Sequence, residues 1–190
     1  MLRYGFTDVM YDGSKLPIEE NIANTRRVVE AAHSRGVGVE AELGHVGMGD
    51  DYDIFGSQRK GFTNPDTVER SVAETGVDFL AIAFGNAHGL YKGEPQLDLD
   101  LVAKIRRRVD IPLVMHGGTG LSDDQFRDAI AAGISKINFF TSIQVTATQN
   151  MRAACAQPSA NMLQIYEGIR PAYVQWCTHL YKVFGAAGRA

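Results

Sequence analysis

Two histidines stand at the ends of apolar runs and immediately precede glycine: His88 in AFGNAHG and His116 in IPLVMHGGTG. Imidazole is the commonest neutral nitrogen ligand for zinc, and a catalytic zinc takes about three protein ligands with one position left open. A histidine at the carboxyl end of a buried-looking run, followed by glycine and then a helix, stands where parallel α/β folds carry chemistry. The shared grammar places both histidines at one site, supplying two of its ligands. Gly117, Gly118 and Thr119 come next. Their backbone can approach an anion closely, and the N–H groups of the turn and of the helix behind it carry partial positive charge. A second turn, Asn138-Phe139-Phe140-Thr141, offers similar donors at another helix start. Each feature also has a plainer reading: a hydrogen-bonded rim histidine, or glycine serving turn geometry alone.

The acidic candidates are Asp12, Glu40, Glu42, Asp50 and Asp51. Strand alternation puts Glu40 and Glu42 on one face, and a carboxylate pair is costly to bury without a cation or hydrogen-bond partner. Asp12 closes VMYD at the same end of the sheet, which suits a metal-binding or supporting role. For Glu40 a salt bridge inside the barrel is an equally good reading. His33 and His179 lie in helices and are expected to be solvated or to face a partner. His45 is near enough to the site to belong to it or not, and Lys92 reads by default as a surface lysine.

The elements that position these residues alternate between apolar strands and amphipathic helices, the pattern of βα units and a parallel sheet. The strands are expected at Val9 to Tyr11, Val37 to Leu43, Phe79 to Phe84, Pro112 to Met115 and Ile137 to Phe140. One helix opens at Pro17 and stops at Gly36, a second starts at Asn64-Pro65 and ends at Gly76, and a third carries a Ser122/Gln125 capping box and closes at Gly133. The junctions HSRGVGVEAEL, ETGVDFLAIAF and AAGISKINFF repeat helix end, glycine, strand. A closed (β/α)8 barrel takes eight strands and about 250 residues. The expected architecture is therefore a partial TIM barrel, about its last five βα units plus carboxyl-terminal helices, in one incomplete domain over residues 1–190. Gly44 to Phe62, with five glycines, is longer than the usual connection of about 2 to 6 residues and reads as a lid or as a surface insertion.

A formal charge of −3, with 45% hydrophobic and 22% charged residues, gives no reason to expect nucleic acid or a membrane surface as partner. No apolar run approaches the roughly 20 residues that span a bilayer, and MLRYGFTDVM has no signal-peptide grammar. Cys155 and Cys177 are too few for a disulfide framework; both are expected to be small buried residues in a reducing, cytoplasmic setting.

Taken together, GFTDVMYDGSKLPIEENIANTRRVVEAAHSRGVGVEAELG, AFGNAHGLYKGEPQLD, IPLVMHGGTG, SKIN and FGAAGRA resemble the class II, zinc-dependent ketose-bisphosphate aldolases, the fructose- and tagatose-bisphosphate enzymes. The resemblance implies a (β/α)8 barrel, a homo-oligomer (dimer or tetramer), and reversible cleavage of a ketose 1,6-bisphosphate to dihydroxyacetone phosphate and glyceraldehyde 3-phosphate. It assigns His88 and His116 to the zinc, and Asp12 and Glu42 to a second or displaced metal, divalent or monovalent. Gly89, Gly117, Gly118, Thr119 and the turn of Asn138, Phe139, Phe140 and Thr141 match contacts to dihydroxyacetone phosphate, and Asn138 is also carried over as catalytic. Asp50 is the nearest counterpart of the family's lid glutamate, one methylene shorter. Phe140 stands where the family commonly has a small residue or an acid. The family's first zinc histidine, and the aspartate before it, have no counterpart here, so the chain is read as amino-terminally truncated. The alternative to an aldolase is a non-catalytic chain of the same ancestry acting as scaffold or partner subunit.

Overall fold

Five short runs pair in the order in which the chain makes them. In the computed structural model, which describes residues 1–51, 58–159 and 161–189, these are β1 (Asp8–Tyr11), β2 (Gly38–Leu43), β4 (Phe79–Ile82), β6 (Leu113–Met115) and β7 (Ile134–Ile137), all parallel. Strictly sequential order without a reversal is the winding of a barrel and lacks the switch point of a doubly wound sheet. A second parallel pair, β3 (Gly47–Met48) and β5 (Ala87–His88), sits beyond the ends of β2 and β4.

Helices cover the outer face, and their ends follow local chemistry. In α1 (Ile18–His33) Pro17 takes the N-cap position, one residue earlier than a first-turn proline, and Gly36 turns left-handed beyond the end (φ +68°). α2 (Pro65–Thr75) starts with the Asn64 side chain accepting from Asp66 N–H and Pro65 in its first turn, and ends at left-handed Gly76. α3 (Leu99–Arg106) is capped by Asp98, which accepts from Leu101 N–H. The sequence reading passed over this helix, although the cap and the spacing of Leu101, Val102 and Ile105 were its signal. α4 (Asp123–Ala132) carries the reciprocal Ser122/Gln125 capping box. α5 (Thr141–Cys155) and α6 (Met162–Val183) form an antiparallel hairpin, with Pro171 inside α6.

Register sorts the two faces of the sheet. Met10, Glu40 and Phe79 are aligned across β1, β2 and β4; Glu42, Ala81, Val114 and Lys136 are aligned across β2, β4, β6 and β7. Residues so aligned share a face, so their neighbours Val39, Ala41, Leu43, Leu80, Ile82, Leu113 and Met115, all buried, point outward to the helices. The sheet is also strongly curved. Three strand spacings separate β2 from β7, about 14 Å in a flat sheet. Yet Lys136 Nζ lies 2.5 Å from Glu40 Oε2. Such a bond forms only across the concave side of an arc.

Three expectations are corrected. The last strand runs over Ile134–Ile137 rather than Ile137 to Phe140, so Asn138 to Phe140 form the connection into α5. Ser135 and Lys136 are both exposed and interrupt the apolar run there, and the apolar pattern that suggested a later strand belongs partly to Phe139, which packs against Trp176 and Phe126. The strand at Phe79 stops at Ile82, and Phe84 is fully buried just past it. Cys155 is exposed at the end of α5, and Cys177 is only partly buried.

Candidate active site

His116 follows β6 on the concave face, two residues beyond Val114, and alternation aims it into the arc over Glu40 and Glu42. All three are nearly closed to solvent, at 5%, 4% and 2% exposure. His116 Nε2 is 2.7 Å from Glu40 Oε1, and Nδ1 is 3.2 Å from Glu42 Oε2. The remaining carboxylate oxygens are also engaged: Glu40 Oε2 by Lys136, and Glu42 Oε1 by Val46 N–H at 3.1 Å. Burial works against a charged His116, but the two carboxylates outweigh it and raise its pKa to about 9. Burial pushes Glu40 upward, and its bonds to His116 and Lys136 hold it below the usual carboxylate range.

His88 is half-buried, with its ring centroid 5.7 Å from that of His116. Burial, and then the neighbouring His116 charge, lower its pKa, so it stands as a neutral imidazole; a hydrogen bond with the Val46 backbone orients the ring. Asp12 is turned in by Ser14 N–H, which donates to Oδ1 at 2.9 Å. Burial alone would raise its pKa, but the Ser14 bonds and the His45 and His116 charges bring it below the ordinary value.

Backbone contacts lock the two histidine loops together. Asn86, buried to 1% exposure, accepts from Phe84 N–H and donates to the His116 carbonyl at 2.8 Å. Gly117 has φ +74°, and a Cβ there would come within 2.0 Å of the Ala87 carbonyl oxygen. Its lack of a side chain therefore serves close approach between these loops. Asn86 was not singled out from sequence; a polar residue between an apolar strand and a histidine was the available signal.

The lid expectation covers Gly44 to Phe62, of which residues 52–57 and the side chain of Asp51 lie outside the described residues. The first part is held down: Gly47 and Met48 pair with Ala87 and His88, and Lys92 N–H donates to the Gly49 carbonyl. Asp50, expected as the lid acid, is exposed with its carboxylate 3.9 Å from Lys92 Nζ. His45 Nδ1 lies 3.1 Å from Ser14 Oγ, tying the base of the lid to the loop after β1. His33 and His179 are exposed on helices, paired with Asp78 and Asp123.

On the other side, Thr119 Oγ1 accepts from Ser142 N–H, joining the turn after β6 to the start of α5. Leu90, Thr119, Gly120, Ser142 and Trp176 line a cavity of about 650 Å³ here. The two adjoining helix starts differ. The Ser122/Gln125 box closes α4, whereas Phe140 at the N-cap of α5 gives no side-chain cap, and apart from Ser142 N–H, which Thr119 takes, the first-turn N–H groups can face an anion. Asn138 N–H donates to the Met115 carbonyl. The Phe139 side chain faces the core and that of Phe140 is exposed, so Phe139 can meet a ligand through its backbone.

The donor chemistry fits a divalent metal in part. With Zn–N near 2.1 Å, two imidazoles on one tetrahedral ion have centroids about 5 to 6 Å apart, which the His88–His116 spacing satisfies. Among the described residues no group of three His, Cys, Asp or Glu converges closely enough to hold an ion unaided. Nor is any described helix long and apolar enough to cross a membrane.

The sequence model of the family described as class-II fructose-bisphosphate aldolase matches residues 1–189. Over 153 residues the chain is 48% identical to a fructose-bisphosphate aldolase of Geobacillus stearothermophilus, which is 80% of this chain and 53% of that protein. It is 38% identical over 189 residues to the protein YdjI of Escherichia coli K12, covering 98% of this chain and 66% of the relative. The crystal structure of the YdjI aldolase superposes with a TM-score of 0.84 at 36% identity, over 98% of this chain and 64% of that one. The chain thus spans between half and two thirds of the length of these relatives.

Proposed function

Because the chain belongs to the class II fructose-bisphosphate aldolase family, we propose that its protein catalyses zinc-dependent, reversible aldol cleavage of a ketose 1,6-bisphosphate, fructose or tagatose, with residues 1–190 forming part of one barrel domain. The observation that carries this reading is the convergence of neutral His88 and carboxylate-bound His116 at two neighbouring strand ends, 5.7 Å apart. His88 and His116 would hold the zinc, with Glu42 and Asp12 placed to take a second or displaced cation. Bound there, zinc supplies Lewis-acid polarisation of the substrate ketone.

The chain's own residues do the rest. Gly89 and the Gly117 to Thr119 turn bring backbone against the dihydroxyacetone phosphate portion, and the start of α5 at Thr141, which has no side-chain cap, takes its phosphate by N–H donation, with the Asn138 side-chain amide as a further donor. Asp50, whose carboxylate is solvent-exposed beside Lys92, is the group that would carry a proton to or from the aldehyde half. The stripe Leu163, Tyr166, Tyr173, Val174 and Tyr181 on α6 is exposed and apolar, which supports a homo-oligomer; the reading calls for no nucleic-acid or membrane partner and suits the cytoplasm.

A second reading, sugar-phosphate binding without turnover, is favoured by the two rather than three converging ligands among the described residues. Equilibrium dialysis with zinc, followed by a coupled assay for dihydroxyacetone phosphate, separates the two. The aldolase reading expects zinc-dependent release from fructose or tagatose 1,6-bisphosphate, lost on chelation and in His88→Ala. Zinc uptake with substrate binding but no release favours the second reading, and absence of both sinks the site assignment.

A further inference from the structure

His116 has a carboxylate at each ring nitrogen, and a metal can enter only where one of them yields. The two sides are unequal. Glu40 is held at both oxygens, by His116 Nε2 at 2.7 Å and by Lys136 Nζ at 2.5 Å. Lys136 reaches it across the arc from β7, so the carboxylate is braced from the far side of the trough. Glu42 makes the longer contact, 3.2 Å to Nδ1. Its other oxygen accepts from Val46 N–H at 3.1 Å, and the Val46 backbone also bonds the His88 ring, so Glu42 lies on the side of His116 that His88 occupies. The Nδ1 side therefore faces His88, and the Nε2 side faces the Glu40–Lys136 pair.

We propose that the Glu40–Lys136 pair is a positioning device: it keeps the proton of neutral His116 on Nε2 and turns Nδ1 toward His88, so that His116 meets a divalent metal through Nδ1. The last clause rests on the function proposed above; the tautomer and ring orientation do not. An anionic acceptor at one imidazole nitrogen selects the tautomer with the proton there and makes the other nitrogen the better donor to a metal. Lys136 contributes by stopping the carboxylate from swinging away or turning its second oxygen to the ring. Glu40 and Lys136 are thus positioning residues acting through His116. As a core salt bridge alone, the pair would leave the choice of nitrogen open.

Long-range proton–nitrogen correlation spectra of the metal-free chain, with nitrogen-15 histidine and at a pH of about 10 where the ring is neutral, read the tautomer without any variant. A proton on Nε2 is expected; a proton on Nδ1 overturns the proposal. Zinc affinity by competition with a chelating dye is then compared for the unchanged chain, Lys136→Met and Lys136→Arg. Loss of outer-sphere support should weaken binding about 10- to 100-fold in Lys136→Met, with mixed tautomers, and Lys136→Arg should recover most of it. Wild-type affinity and tautomer in Lys136→Met would overturn the role of the brace. If the unchanged chain takes up no zinc yet shows Nε2–H, the positioning stands and the zinc reading of the site falls.

Discussion

His116 holds the most perturbed charge of the site, and its consequence is a measurable pH dependence. Burial disfavours the imidazolium, but Glu40 and Glu42 more than compensate and the pKa rises from 6.5 to about 9. The folded state therefore binds this proton more tightly than the unfolded chain does. The associated stability is fully present below about pH 6.5 and disappears as the pH rises through 9, a change on the order of 3 kcal/mol. In thermal melts of the metal-free chain, the midpoint should fall between about pH 7 and 9.5, and His116→Gln should lack this step. A flat profile in the unchanged chain would contradict the buried pairing. Metal uptake must expel the same proton, so zinc affinity should climb over that interval.

At the scale of elements, the decisive feature is the contact between the loops after β4 and β6. Gly117→Ala puts a Cβ 2.0 Å from the Ala87 carbonyl oxygen at φ +74°, where the oxygen is backbone and the Cβ is fixed by its own backbone, so neither can rotate away. A loss of about 3 kcal/mol is expected in urea denaturation, combining steric overlap with left-handed strain. Gly36 is the natural control, with φ +68° but nothing within 4 Å of a built Cβ, so Gly36→Ala should cost only about 1 to 2 kcal/mol. Equal losses at the two sites would show that close approach contributes nothing. The two glycines look alike in the sequence; only the path of a strand from elsewhere in the chain distinguishes them. The caps were different. Asn64, Ser122 and Gln125 were legible in advance because each bonds within three residues of itself.

For the molecule as a whole, the α5–α6 hairpin is the least covered part. Tyr166 is 62% exposed and Val174 is 54% exposed, on a helix face whose apolar residues recur at helical spacing, the kind of surface that proteins cover by association. Sedimentation velocity should show self-association rising with concentration, and Tyr173→Glu with Val174→Glu should shift the distribution to monomers while leaving the far-ultraviolet circular dichroism unchanged. A monomer at every concentration would rule out this face as an interface between copies. The curvature of the sheet belongs to this scale too, since Glu40 and Lys136 lie 96 residues apart in the chain and meet only because the arc closes on them.

The amino-acid sequence by itself determined the alternation of strands and helices, the caps, the strand-end placing of His88 and His116, and the common face of Glu40 and Glu42. All of these depend on periodicities and bonds spanning a few residues. The exact end of β7, the helix after Asp98 and the exposure of Cys155 escaped it, because short apolar patterns do not say which neighbour will cover them. The tertiary structure alone decided that Glu40 is braced by Lys136, that Asn86 ties the histidine loops and that Gly117 is required by Ala87. Those facts concern which strands the curved sheet brings face to face, and that is settled by packing between segments far apart in the chain.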